Sequence, residues 1–384
     1  MRRAFPGRPD VRSGDAVKLE DLPTPCLVLD KGILERNLKR MSDAIRKNGA
    51  TLRPHLKTAK SAAVARMALE GEAGGMTVST LAEAEYFADN GFRDILVGVA
   101  QAPHKLDRAA SLIDRGVIVS LVTDNVAAAR AIADHRGAFR AFVELDSGDK
   151  RAGVDVSSDA LIEVARALGP KLTGVMTHAG HSYGCLSVEC IKEVAEQERQ
   201  TVVNAAERLR EAGLRCDVVS VGSTPTMTFA ERLDGVTEAR PGVYMFQDVF
   251  QAVIGTCKRE DIALTVLASV IGRNEKENRF LVDAGALALS KDRSTQATDH
   301  DVGYGEVWDL SGRPGFGNCI LERVSQEHGM AGSAEPLPFN ELPVGARVRI
   351  APNHACLTAA AHSKYYVVDG GDEVLAEWDR VNYW

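Results

Sequence analysis

Between about residue 50 and residue 250, short apolar, β-branched runs alternate with longer Ala, Leu, Glu and Arg segments of helical spacing, and the cycle repeats. The runs that read as strands are Leu52–Lys57, Gly75–Ser79, Asp94–Val99, Val117–Thr123, Ala141–Asp146, Leu172–His178, Val218–Ser223 and Glu238–Met245. Segments such as Thr80–Asn90, Asn125–Asp134, Ala160–Leu168 and Val194–Ala212 read as the helices between them. Eight strands with intervening helices in about 200 residues is the count of a TIM-like (β/α)8 barrel. A doubly wound open sheet is the competing architecture, but no GxGxxG opens a helix after any of these strands.

After residue 256 the pattern changes to short strands separated by Gly, Pro, Asn and Asp: Ala263–Val270, Arg279–Val282, Val302–Asp309, Ala346–Ala351 and Lys364–Asp369. Pro25–Asp30 also reads as a strand, ahead of an amphipathic helix Lys31–Asn48. With eight strands already in the barrel, this early strand is expected to pair with the β region. The expected organisation is an N-terminal strand and helix over 25–49, a barrel over 50–255 and a mostly-β domain over 256–384, in keeping with a chain of 384 residues.

Composition narrows the function. Lys and Arg number 46 against 53 Asp and Glu, a net charge of -7, which argues against a broad basic surface for nucleic acid. The seven cysteines are scattered without a CxxC pair, so they suggest neither a disulfide framework nor a four-cysteine zinc site, and they fit a reducing cytoplasm. Met1 to Glu20 has five basic residues and no apolar run, so no secretory signal is expected there, and no stretch approaches the roughly 20 apolar residues of a membrane span.

Active sites of such barrels lie where strands run out into their following loops. There, Arg53, His55 and Lys57 share one face by strand alternation. A lysine on that inward face is a candidate for chemistry, and a solvated loop lysine is the alternative. The turns Val221-Gly222-Ser223-Thr224 and Arg240-Pro241-Gly242-Val243-Tyr244 follow the last two strands. They are simple turns or a neutral cradle of N–H and hydroxyl groups for a phosphate. A lysine amine opposite a phosphate cradle is what a pyridoxal phosphate site requires.

Pro352-Asn353-His354-Ala355-Cys356 forms a third constellation. On a strand, His354 and Cys356 would point to one side and could hold an open catalytic metal; a buried cysteine beside a hydrogen-bonded histidine is the alternative. Arg151 follows the fifth strand and faces either a cofactor or solvent. His178, His181 and Tyr183 follow the sixth, where one or two are expected to line the site. Gln326-Glu327-His328-Gly329 is a substrate loop or an ordinary turn.

Arg53-Pro54-His55-Leu56-Lys57-Thr58, Thr177-His178-Ala179-Gly180, Val221-Gly222-Ser223-Thr224-Pro225-Thr226, Gln326-Glu327-His328-Gly329 and Pro352-Asn353-His354-Ala355-Cys356 together resemble the fold-type III pyridoxal phosphate enzymes acting on D-3-hydroxy amino acids. That family includes D-threo-3-hydroxyaspartate dehydratases, D-serine dehydratases and D-threonine aldolases. The resemblance covers the chain from about Thr24 onward and implies an alanine racemase-like barrel plus a β domain. It implies Lys57 as the lysine that carries the cofactor, with Gly222, Ser223, Thr224, Gly242 and Tyr244 around the phosphate. His55, Arg151, His178 and Tyr183 complete the expected cofactor site. His354 and Cys356 fall on the family's metal pair, and the family's homodimeric state is implied too.

The expected activity is therefore dehydration of a D-3-hydroxy amino acid to a 2-oxo acid and ammonia. The same-fold rival is retro-aldol cleavage to glycine and an aldehyde. Aldolases of the family resemble His-x-Asp at the metal pair, whereas His-x-Cys here resembles the dehydratases. A soft thiolate favours zinc, with manganese or magnesium as the other candidates. A racemase needs a second base and no metal, and a non-catalytic cofactor carrier resembles the bare barrel alone.

Overall fold

In the computed structural model, residues 16–384 are described. Their strands make two sheets. The first contains eight parallel strands: β2 (Thr51–Leu52), β3 (Met76–Val78), β4 (Asp94–Val97), β5 (Ile118–Thr123), β6 (Arg140–Leu145), β7 (Leu172–Thr177), β8 (Val218–Val221) and β9 (Glu238–Ala239). Their order is β2-β9-β8-β7-β6-β5-β4-β3. Where β2 and β3 face each other there is no ladder. One parallel bridge, His55 to Thr77, joins them, with Thr77 N–H donating to Pro54 O and Leu56 N–H to Thr77 O. The strand order is thus that of the expected barrel, but a continuously paired, closed barrel is not what forms.

The reason lies in Pro54, which has no N–H to give a ladder, and in the turn that begins immediately after His55. Several barrel strands also end earlier than their apolar runs. Beyond Leu52, Val97, Val221 and Ala239 the chain is committed to loops, and Val243–Met245 is a 3-10 turn.

Inside the barrel, Leu96, Val122, Phe142 and Met176 form one apolar cluster, the inward faces of four successive strands. The β2–β9 side is polar instead. Arg53 Nε bonds Glu238 at 2.7 Å and its Nη1 bonds Asp94 at 2.8 Å, while Ser220 donates to Glu238 at 2.6 Å.

The second sheet begins with β1 (Cys26–Asp30). Its other strands are β10 (Leu264–Asn274), β11 (Arg279–Val282), β12 (Gly305–Trp308), β13 (Ile320–Val324), β14 (Gly329–Gly332), β15 (Arg347–Pro352), β16 (Lys364–Val368) and β17 (Ala376–Asp379). The order is β11-β14-β13-β12-β15-β10-β1-β16-β17, and β11 also pairs with β10, so six strands close a ring. β13, β14 and β17 carry no clear sequence signal. β1 lies antiparallel to β10 and parallel to β16, with all five of its residues buried.

Asp30, the last residue of β1, accepts from Ile33 N–H and so caps the helix Lys31–Lys47. From that helix the buried Asn37 amide donates to Met245 O and Asp261 O, fastening it to the end of the barrel. Leu29 is fully buried in the main core. Leu29→Ala is expected to cost about 3 kcal/mol from lost burial and the cavity left behind, read from the urea midpoint. A loss under about 1 kcal/mol would contradict the central role given to β1.

Candidate functional site

A cavity of about 490 Å³ opens at the carboxyl ends of the barrel strands and is walled on its far side by the β region. His55 and Lys57 enter it from the turn after β2, His178 and Tyr183 from the loop after β7, and Ser223 and Gly242 from the turns after β8 and β9. His354 and Cys356 enter from the end of β15. A second hollow of about 390 Å³ shares His55, Lys57, His178 and Arg240 with it and adds Glu144, Arg151 and Gly222.

Two glycines let the turns pack closely against neighbouring backbone. A Cβ on Gly242 would meet His55 O at 3.0 Å, and one on Gly222, at φ +139°, would meet Arg240 N at 2.6 Å. Thr224 fastens the turns together, its Oγ1 accepting the Tyr244 N–H at 3.1 Å.

Tyr244 departs from expectation. Its ring is buried in a separate hollow of about 70 Å³ with Asn37, Arg40 and Gln247, and its hydroxyl has no partner among the described residues. In the 3-10 turn Val243–Met245 successive side chains rotate by about 120° instead of alternating, so strand parity does not carry over from Gly242. Gln326-Glu327-His328 is likewise apart from the cavity. It is the exposed turn between β13 and β14, closed by Ser325 N–H to His328 O.

The histidines are held in defined states. His178 Nδ1 donates to Gly222 O at 2.7 Å, while burial and the nearby Lys57 charge push its pKa down to about 3. Its ring is therefore neutral, with Nε2 unprotonated. His55 is also held well below the ordinary range, by burial and by Lys57, and its Nδ1 accepts the Lys57 N–H at 3.4 Å.

His354 has the opposite character. Burial works against its charge, but Asp292, 2.9 Å from Nδ1, and the Cys356 thiol together raise its pKa to about 11. Burial of Cys356 would raise its own value, yet His354 and Lys57 bring it below the usual thiol range. Cys356 Sγ is also 3.3 Å from Thr58 Oγ1, one residue past Lys57. The two side chains do not share a strand face, because β15 ends at Pro352. His354 is extended and Cys356 lies in the first turn of the short helix Ala355–Ala359, held by Ala355 N–H donating to Asp248.

Sequence reasoning missed Arg240, Asp248 and Asp292. Arg240 is buried with its guanidinium bonded to Ser220 Oγ and Thr177 O, and it lines both hollows. A charged residue directly before Pro-Gly at the end of a strand was an available signal. Asp292 lies 62 residues from His354 and had none. Among the described residues no group of three or more His, Cys, Asp or Glu side chains could hold a metal, and His354 with Cys356 would supply two donors. Cys185 and Cys190, expected as free thiols, are joined by a disulfide just beyond Tyr183.

Comparison with known proteins gives the family. The family described as alanine racemase, N-terminal domain, matches residues 29–249, over half of the chain, and a putative serine dehydratase domain matches 263–368. The chain belongs to this family. It is 45% identical to D-threo-3-hydroxyaspartate dehydratase of Delftia sp. (strain HT23) over 94% of this chain and 98% of that one. With D-serine dehydratase of Dictyostelium discoideum it shares 30% identity over 95% and 98%.

A metal-free cysteine-to-alanine variant of a D-threo-3-hydroxyaspartate dehydratase superposes with a TM-score of 0.91 at 44% identity, covering 96% of this chain and all of that one. A histidine-to-alanine variant of such a dehydratase is also similar, with a TM-score of 0.92. D-threonine aldolase of Filomicrobium marinum gives 0.82 at 26% identity over 95% and 96%. The family fold is thus alanine racemase-like, here eight parallel strands joined to a mostly-β sheet.

The state of His178 has a measurable consequence. Its folded value of about 3 lies below the ordinary 6.5, so the unfolded chain binds that proton first and stability falls as pH drops from about 6.5 toward 3. His178→Gln is expected to flatten this dependence by about one proton when urea midpoints are compared between pH 7 and pH 4.5. An unchanged slope would mean that His178 is charged in the folded chain.

Proposed function

We propose that this chain is a pyridoxal phosphate- and divalent metal-dependent dehydratase that converts a D-3-hydroxy amino acid, such as D-threo-3-hydroxyaspartate, D-serine or D-threonine, to a 2-oxo acid and ammonia. One observation carries the reading: Lys57 and the His354–Cys356 pair, nearly 300 residues apart, line the same cavity. The Ser223 hydroxyl and the Gly242 turn on the cavity wall suit the cofactor's phosphate, and the two-donor His354–Cys356 set suits an open catalytic metal. The 45% identity to a D-threo-3-hydroxyaspartate dehydratase supports the substrate class.

When bound, the cofactor supplies an electron sink for charge at Cα and the metal a Lewis acid at the β-hydroxyl. Lys57 Nζ removes the Cα proton from the one face it reaches, which restricts turnover to the D series. Asp292 occupies His354 Nδ1, so Nε2 is the nitrogen left to bind metal, and Asp292 fixes the ring for it. Neutral His178 and Arg151 border the cofactor space without competing for the proton on Lys57. The thiolate favours zinc over manganese or magnesium. The same reading includes the homodimeric state that the family resemblance implies.

The second reading is aldol cleavage, favoured by the likeness to D-threonine aldolase. Incubation with D-threonine separates them: 2-oxobutanoate supports dehydration, whereas glycine with acetaldehyde overturns it. Lys57→Ala is expected to lose α-proton exchange and product together, and full turnover in that variant would remove Lys57 from the chemistry.

Asp292→Asn is expected to weaken metal affinity about 10- to 100-fold, measured by competition with a chelating dye. Cys356→Ala should lose elimination while still binding substrate. Normal activity in Cys356→Ala, with no stoichiometric metal in the wild type, would return the pair to a structural role.

A further inference from the structure

One fully buried carboxylate has no part in the chemistry above. Glu198 lies midway along the helix Val188–Glu211 and reaches under the turns that carry His178 and Ser223. Its Oε1 accepts the N–H groups of Ala179 and Gly222, both at 3.0 Å, and its Oε2 accepts the Thr226 hydroxyl at 2.7 Å. Thr226 Oγ1 is 3.0 Å from Ser223 Oγ, which lines the cavity and is 2.9 Å from Ser182 Oγ. A line of two hydroxyls therefore connects the cavity wall to a buried acid.

The direction of that line depends on Glu198. An ionised carboxylate only accepts, so the Thr226 hydrogen points at it and the Ser223 hydrogen has Thr226 Oγ1 and Ser182 Oγ as its acceptors, both off the cavity wall. An anion seated at Ser223 needs that hydrogen turned outward. It would also place a second negative charge at the far end of a short chain in a low-dielectric interior. A proton on Glu198 relieves both: the carboxyl donates to Thr226, Thr226 to Ser223, and Ser223 to the anion.

We infer that Glu198 is a positioning residue that couples seating of an anionic phosphate group at Ser223 to the uptake of one proton on its own carboxyl. The inference rests on the cofactor reading above. Burial already raises the pKa of Glu198 against its three hydrogen-bond donors. The titratable and charged groups facing it are Arg240, from the end of β9, and Tyr183, from the loop after β7. The Arg240 guanidinium is engaged by Ser220 and Thr177 O, and the neighbouring Arg199 on the same helix pairs with Glu196. Since an anion raises the value of Glu198 further, lowering the pH strengthens anion binding, and binding takes a proton from solvent.

The test uses the full chain freed of cofactor, with pyridoxine 5′-phosphate as probe. The probe lacks the aldehyde and cannot bond Lys57, and at pH 8 its phosphate is already dianionic, the second phosphate pKa being about 6. Titration calorimetry in two buffers of different protonation enthalpy reads the protons taken up. Wild type is expected to take up about one proton more per site than Glu198→Gln, whose amide permanently presents the donor. Thr226→Val, which breaks the line while keeping the acid, should lose the extra proton as well. Equal proton counts in wild type and whichever variant folds overturn the inference while leaving the cofactor reading intact. Failure of the wild type to bind the probe overturns both.

Discussion

The placement of β1 between β10 and β16 is the constraint from which the site follows. It makes the start of the chain part of the sheet that the end of the chain completes, so the barrel that begins after the helix Lys31–Lys47 stands against that sheet. Three contacts then fix the turn that bears Lys57: Tyr365 Oη donates to Ala59 O, Val381 N–H donates to Lys60 O, and Thr58 Oγ1 meets Cys356 Sγ. Lys57 and the His354–Cys356 pair each lie within two residues of such a fastening. Loops that would otherwise be mobile are thereby held at one geometry.

Charge distribution in the barrel supports the same end. On one side the interior is filled by Leu96, Val122, Phe142 and Met176, while on the other it holds Arg53, Asp94, Glu238, Ser220 and Arg240 in connected hydrogen bonds. Buried charges are costly unless paired, so the set is held together as a unit beneath the cavity floor. Above it, burial, reinforced by the cations Lys57 and Arg240, keeps His55 and His178 neutral. The carboxylates lie beyond, at Asp248 and Asp292 beside the His354–Cys356 pair.

Much of this was legible in the sequence because buried parallel strands need continuous β-branched runs, and all eight stand where those runs lie. Their ends were overextended: past Leu52 only the single His55–Thr77 bridge continues the pairing, and Val243-Tyr244-Met245 stays apolar in order to pack, not to pair. β13 and β14 escaped notice because Glu322, Arg323 and the glycines at 329 and 332 blur the alternation. Lys57, His178, Ser223, His354 and Cys356 were found as motifs, and they converge on one cavity. The strand argument for His354 and Cys356 failed at Pro352, and Tyr244, which the resemblance implied at the phosphate, has its ring in a separate hollow. Asp292 and Glu198 act only through partners distant in sequence, which no local pattern records.

The pairing of Leu27 with Tyr365 also orders events during synthesis, since the partners are roughly 340 residues apart. At about 5–20 residues per second, β16 emerges tens of seconds after β1. Through that interval Cys-Leu-Val-Leu-Asp at 26–30 is an apolar strand without its parallel neighbour, open to pairing with other chains. The amphipathic helix directly behind it can fold at once and lay its apolar side over the strand. Until the last strands arrive, that helix shields a face of the strand while its hydrogen-bonding edges wait for β10 and β16.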